Sequence, residues 1–284
     1  MGYFGANLSG TIVDPVPFTT NAAEVAALEG GQLDAAYMDP VAAVSAWQSS
    51  PGRLIKVIAG AASGGAELVV RSGISSARQL AHAPVAAPAG GAQQAALATW
   101  LRQQGQSSPG AGHITMTSSY LVRQLTAGHI AGAWEPAPQD AQMVAAGGHV
   151  LVNEASLWPG GRFATAVLVV TQRYLSAHPA AVTGLLKGHI QAENLITTAP
   201  ESAAQAVNQQ LATRQGSRLP AAVLAQSFGQ ITFTEDPLAA SILAETSHAA
   251  AAGLLQPVHV LDGMYQLTML NKLLRAAGQR PVSS

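Results

Sequence analysis

Residues 28–40 read LEGGQLDAAYMDP, and residues 125–137 read LTAGHIAGAWEPA. Aligned without gaps, Leu28 meets Leu125, Gly31 meets Gly128, Leu33 meets Ile130, Ala36 meets Ala133 and Tyr37 meets Trp134. Both stretches describe the same local events. A helix ends on glycine, a short strand follows, an aromatic sits at its carboxyl end and a proline opens the next helix. Repeated strand–helix units of this kind predict mostly parallel sheets covered by helices. In open α/β sheets ligands bind outside the carboxyl ends of the strands. The echo therefore places one aromatic, Tyr37 or Trp134, at the expected binding edge of each half.

The same alternation extends outward from the two stretches. Thr11–Phe18 reads as an extended segment in which Pro15 and Pro17 fit an edge strand better than a central one. Asn21 is expected to cap a helix over Ala22–Leu28, with Glu24 completing a capping box. Asp39 caps, and Pro40 opens, a helix to about Ser49. Leu54–Ala59 and Glu67–Arg71 read as strands around a small-residue turn, Gly60–Gly65. Further strands are predicted at Pro84–Ala87, Ile114–Thr117, Val150–Val152 and Phe163–Thr171, with helices over Gly91–Gln104, Ser118–Ala127 and Pro136–Ala146. Beyond Arg173 the chain is mostly helical. Pro179, Pro200, Pro220 and Pro237 each stand where a helix should begin and a missing N–H costs nothing.

Composition removes several functional classes. The chain has 284 residues, enough for two units and a substantial core. Charged residues are 10% and hydrophobic residues 48%, with a formal net charge of −1. Lysine occurs only at Lys56, Lys187 and Lys272, and no basic run offers a nucleic-acid surface. With no cysteine, disulfide scaffolds, iron–sulfur clusters, zinc ribbons and thiol catalysis are excluded. The eight histidines show no metal-ligand spacing. No apolar run approaches the ~20 residues of a membrane-spanning helix, and the first residues carry no signal-peptide pattern.

Three glycine- or aromatic-bearing turns and two acidic residues remain as candidates. Ser63, Gly64 and Gly65 end the turn after the strand Leu54–Ala59, where backbone and a hydroxyl can approach a ligand. A catalytic Ser63 is disfavoured because a strand, not a helix, follows it. Gly90, Gly91, Ala92 and Gln93 join a strand to a helix whose first N–H groups suit an anion. Tyr37, Met38 and Asp39 end one strand, Trp134 and Glu135 another, and Trp158 lies in the turn before Phe163–Thr171. No catalytic residue, metal or cofactor is expected, so the residues favour a binding cleft over an active site.

In order along the chain, Val16-Pro-Phe18, Ala27–Tyr37, Ile58–Val70, Leu125–Pro138, Leu157–Gly161 and Val167–Val170 with Tyr174–Pro179 resemble the solute-binding proteins of ABC importers. The group resembled is that of aliphatic sulfonates, nitrate and taurine, of type II periplasmic-binding-protein fold. The resemblance implies two α/β lobes with mostly parallel sheets, joined by two crossing strands, Glu67–Arg71 and Ala166–Thr171, and a helical C-terminal segment. It divides the chain into one lobe of residues 1–71 and 171–284 and another of residues 72–170. It implies capture of a small organic anion, an aliphatic sulfonate foremost, by hinge closure on Tyr37–Asp39, Ser63–Gly65, Gly90–Gln93 and Trp134–Glu135. It further implies a periplasmic or otherwise extracytoplasmic location and leaves open a lipid anchor in a full-length form. An ABC permease and its ATPase would be the partners, and the binding protein a monomer without enzymatic activity. Nitrate, taurine, a pyrimidine- or riboflavin-like ligand, or an enzyme of pyrimidine-precursor synthesis are the alternatives. The family's usual first strand is expected to be missing before Met1. The acidic residue after Trp134 departs from the family's pattern.

Overall fold

Consecutive strand–helix units give this chain two sheets. The computed structural model describes residues 2–8, 10–50, 54–106, 113–115 and 118–284. The first part runs α1 (Tyr3–Asn7), α2 (Asn21–Glu29), β1 (Ala35–Met38), α3 (Pro40–Ser49) and β2 (Ile55–Gly64). It continues with β3 (Ala66–Val70), β4 (Val85–Ala87), α4 (Ala92–Gln103), β5 (His113–Thr115), α5 (Ser118–Thr126), β6 (Gly132–Pro136), α6 (Gln139–Ala145) and β7 (His149–Asn153). The remainder is β8 (Ala164–Thr171), α7 (Gln172–Ala177), α8 (Pro179–Thr198), α9 (Pro200–Gln215), α10 (Ala221–Gln230), β9 (Ile231–Phe233), α11 (Ala239–Ala251) and α12 (Thr268–Ala276). The last two residues of the predicted strand Ile114–Thr117 lie outside the described residues.

The first sheet has the order β1-β8-β2-β9 and the second β5-β4-β6-β3-β7. The expectation of mostly parallel sheets needs correction. Among the described strands only β4–β5 and β4–β6 pair in parallel, and the other five pairings are antiparallel. Repeated strand–helix units predict parallel neighbours. The chain instead inserts a strand arriving from the other sheet between them. β8 lies antiparallel between β1 and β2, and β3 lies antiparallel between β6 and β7. The two echoed stretches thus occupy equivalent places. Tyr37 stands opposite Leu168 of one inserted strand, and Trp134 opposite Leu68 of the other.

Both inserted strands are buried on both faces along Leu68–Val70 and Val167–Val170, which is why those stretches read as unbroken apolar runs. In β8, Val167 and Val169 pack towards α3 and α11 while Leu168 and Val170 pack towards α8 and α12. In β3, Leu68 and Val70 face α4, and Val69 faces α5 and α6. Since β2 belongs to the first sheet and β3 to the second, the chain changes sheet at Gly64–Gly65. It changes back between Asn153 and Ala164.

Three local readings are revised by tertiary contacts. Gly60–Gly65 is no free turn. β2 continues to Gly64 because Gly60 lets the backbone around Thr234 and Asp236 pass within van der Waals range, where a Cβ would stand 2.2 Å from the Asp236 carbonyl. Thr11–Phe18, expected as an edge strand, forms no regular element and pairs with neither sheet. Thr20, not Asn21, caps α2, its side chain accepting from the Ala23 N–H. Asn21 instead reaches Ala89 in the other half. Asp39 caps α3 as predicted.

Candidate functional site

A cavity of about 720 Å³ opens between the halves. The segment ending at Thr20, the first turn of α2 and the end of β1 supply Phe18, Asn21, Glu24, Tyr37 and Asp39. Thr165 at the start of β8 adds a buried hydroxyl with no hydrogen-bond partner. From the other half come Pro88, Ala89 and Gln93 around the start of α4, Ser118, and Pro136 and Gln139 at the end of β6. The cleft therefore lies at the carboxyl ends of β1, β4 and β6, where the α/β rule places ligands.

Asp39 ties the halves together. Its Oδ1 accepts from the N–H groups of Val41 (2.8 Å) and Ala42 (3.0 Å) at the start of α3. Its Oδ2 accepts from the Ala92 N–H at the start of α4, at 2.9 Å. Asn21 Nδ2 donates to the Ala89 carbonyl beside it. Gly91 is what permits this approach. A Cβ there would stand 2.7 Å from Asn21 Nδ2 and 2.9 Å from Asp39 Oδ2. Apolar contact among Val41, Ala92, Ala95 and Ala249 continues the same junction.

The electrostatics of the cleft are acidic. Burial raises the pKa of Asp39 to about 6 against the lowering effect of its three N–H donors. Burial, with the nearby charge of Asp39, raises that of Glu24 to about 7. Glu154 and Glu245 are buried close enough to Asp39 for its charge to raise their pKa as well, burial being the larger cause in both. Among the described lining residues there is no Lys, Arg or His. Tyr37 is 46% exposed. Its hydroxyl lies 2.9 Å from His189 Nδ1, and His189 Nε2 stands 3.2 Å from Glu193, so a chain of polar groups on α8 fixes the ring.

The structure brings together only part of the predicted site. Tyr37, Asp39 and Gln93 line the cleft. Gly90, Gly91 and Ala92 form the turn beside it, and two of its donors have internal partners: Ala92 donates to Asp39 and Gly90 to Gln94 Oε1. Met38 points into the core against α3. Ser63, Gly64 and Gly65 lie elsewhere, against a cavity of about 420 Å³ with Arg162 and Gln230. Trp158 borders a third cavity, stacked on Phe163.

Trp134 is fully buried. It packs edge-on to Trp100, and its Nε1 donates to Glu154 Oε2 at 2.6 Å, while Trp158 Nε1 donates to the other oxygen. The α4 helix and the loop after β7 cover it, whereas its counterpart Tyr37 opens to the cleft. Glu135 is buried beneath Ser118 and neither of its oxygens has a hydrogen bond. Burial pushes its pKa to about 8, Asp140 adds to the rise, and the Ser118 hydroxyl opposes it without reaching hydrogen-bond geometry. Sequence reasoning missed Phe18, Asn21, Glu24, Ser118, Gln139 and Thr165 as cleft residues. The available signal was the proline-bearing run before α2, whose missing N–H groups keep it out of a sheet and leave it free to form a wall. Among the described residues no group of three or more His, Asp or Glu is placed to hold a metal ion.

Residues 1–212 match the NMT1-like family. No curated protein matches the chain by sequence. The fold is similar to that of the periplasmic nitrate-binding protein NrtA from Synechocystis PCC 6803, with a TM-score of 0.82 and 14% identity over 99% of this chain and 85% of that one. It is similar to the ligand-binding component of an ABC-type import system from Staphylococcus aureus, solved with zinc bound (TM-score 0.75, 16% identity, 94% and 91% covered). It is also similar to the alkanesulfonate-binding protein SsuA from Xanthomonas axonopodis pv. citri, bound to MOPS (TM-score 0.74, 18% identity, 91% and 89% covered). At these identities the likeness is one of fold.

Proposed function

The chain belongs to the NMT1-like family, and from that membership and the geometry of the cleft we propose that it is the extracytoplasmic solute-binding component of an ABC importer. The observation that carries this reading is the cleft itself. It is about 720 Å³, is built from the strand ends of both sheets, and is spanned by hydrogen bonds from Asp39 and Asn21. A cavity of this size suits a small organic molecule. The two lobes would be the two sheets with their helices. The lobe division read from the sequence, 1–71 with 171–284 against 72–170, is kept with its changeovers moved to where the chain changes sheet. Gly64 and Gly65, both at positive φ (77° and 68°), would serve as one hinge strand, and the segment with Gly160 and Gly161 as the other. A permease and its ATPase would take the loaded protein. Among the described residues no helix is long and apolar enough to cross a membrane.

Tyr37, Asp39 and Gln93 would contact the solute together with Phe18, Glu24 and Thr165. An aliphatic sulfonate is the ligand the sequence resemblance favours, and the sulfonate- and nitrate-binding proteins among the similar folds support an anion. The charge of the lining favours the opposite sign.

Thermal melts with a panel of alkanesulfonates, taurine, nitrate, pyrimidines and organic amines test the reading. A solute at ~1,000 times its Kd should add about 4 kcal/mol of stability, on the order of 10 °C for a chain of this length. Tyr37→Ala should weaken the same binding about tenfold. Turnover of a panel member, or a melt that none of them moves, would sink the binding role.

A further inference from the structure

We infer that the cleft takes a small organic cation, an ammonium or amidinium group carried on an aliphatic or aromatic body, with Glu24 as its counter-charge. The inference rests on the solute-binding reading above and concerns the sign of the ligand's charge.

Three observations carry it. First, two donors of the glycine turn before α4, the N–H groups of Gly90 and Ala92, are engaged from within. Asp39 Oδ2 accepts from Ala92, and its Oδ1 takes both N–H groups at the start of α3. An anion entering here would have to displace a carboxylate that holds two helix starts. Second, the described lining contains two carboxylates and no cationic side chain. Glu24 takes part in none of the ion pairs among the described residues, and its nearest charged influence is Asp39, of the same sign. A cation between them removes that repulsion, whereas an anion adds to it. Third, the rest of the wall is suited to the body of such a ligand. Phe18 and Tyr37 present aromatic rings, Val16, Pro17, Pro88 and Pro136 apolar surface, and Thr165 a buried hydroxyl without a partner. Aromatic faces beside carboxylates are a recurring environment for organic ammonium groups.

Matched pairs of probes test this on the whole chain by calorimetry at about pH 8, where Glu24 is mostly ionised. The probes are hexylamine, benzylamine and benzamidine beside hexanesulfonate, benzenesulfonate and nitrate. The expected result is saturable binding of at least one amine, about tenfold tighter than its matched sulfonate, and weakened about tenfold by Glu24→Gln. Glu24→Asp, which keeps the charge, should retain part of the affinity and serves in its place if Glu24→Gln does not fold. A sulfonate binding more tightly than its matched amine overturns the inference while leaving a solute-binding protein. Amine binding that Glu24→Gln does not change also overturns it, as does no amine binding up to about 10 mM. Failure of the whole wider panel of solutes is the separate result that sinks the binding role.

Discussion

The carboxylate of Asp39 and the backbone N–H of Ala92 meet across the cleft at 2.9 Å. These residues belong to different sheets' helices, α3 and α4, and Asp39 caps both. The N–H groups of a helix start carry partial positive charge, so one buried carboxylate between two helix starts is held by both. The same contact decides what the turn before α4 can bind, since its foremost donor is already used.

Gly91→Ala should loosen this junction. Its φ of −122° suits any residue, so the strain arises only from the Cβ approaching Asn21 and Asp39. The protein is expected to fold, with cleft affinity lowered about tenfold and a larger radius of gyration by solution scattering. Unchanged affinity and radius would mean that the junction does not govern closure.

Stability should fall as pH rises from about 4 to about 8. Burial raises the pKa of Asp39 to about 6, of Glu24, Asp140, Glu154 and Glu193 to about 7, and of Glu135 to about 8. Because these values exceed the unfolded ones, the folded chain holds more protons than the unfolded chain throughout that window. Each proton removed within it costs the folded state more than the unfolded one. Melting temperatures should therefore be higher at about pH 5 than at about pH 8. A melting temperature that climbs between those values contradicts the burial of these groups.

Trp134→Phe should cost stability and leave cleft affinity alone. The substitution removes the donor to Glu154, a buried carboxylate, for a loss of about 1–3 kcal/mol. Urea unfolding and calorimetry on the same preparation separate the two effects. Lost binding at unchanged stability would place the indole against the solute.

Two glycine-to-alanine changes should have opposite signs. Gly60→Ala drives a Cβ into the backbone of Thr234 and Asp236 and should cost about 1–3 kcal/mol, lowering the melting temperature by roughly 2–4 °C per kcal/mol. Gly229→Ala in α10 meets nothing within 4 Å and should stabilise, by about 0.5–1 kcal/mol from helix propensity. Equal effects at both sites would remove the close approach as the reason for Gly60.

Much of the architecture was legible from local chemistry. The helix starts at Asp39–Pro40, Pro179 and Pro200, the glycine stop after α2, and the equivalent strands ending at Tyr37 and Trp134 all follow from patterns a few residues long. Short-range rules suffice there because capping, φ restriction and apolar spacing act within a turn or two of backbone. The site was legible at Tyr37, Asp39 and Gln93, and much less so elsewhere. Whether an aromatic at a strand end is a cleft wall or a core residue depends on what covers it. Trp134 is sealed by Trp100 and Glu154, while Tyr37 is left 46% exposed. That the two sheets are mainly antiparallel follows from β3 and β8 being inserted from the other half of the chain. That the Ala92 N–H at the start of α4 is already used follows from Asp39, 53 residues away. Contacts at such separation leave no periodic trace in the sequence. Local preference set the elements and their order along the chain, and the packing of distant groups decided the strand pairing and the charge and shape of the cleft.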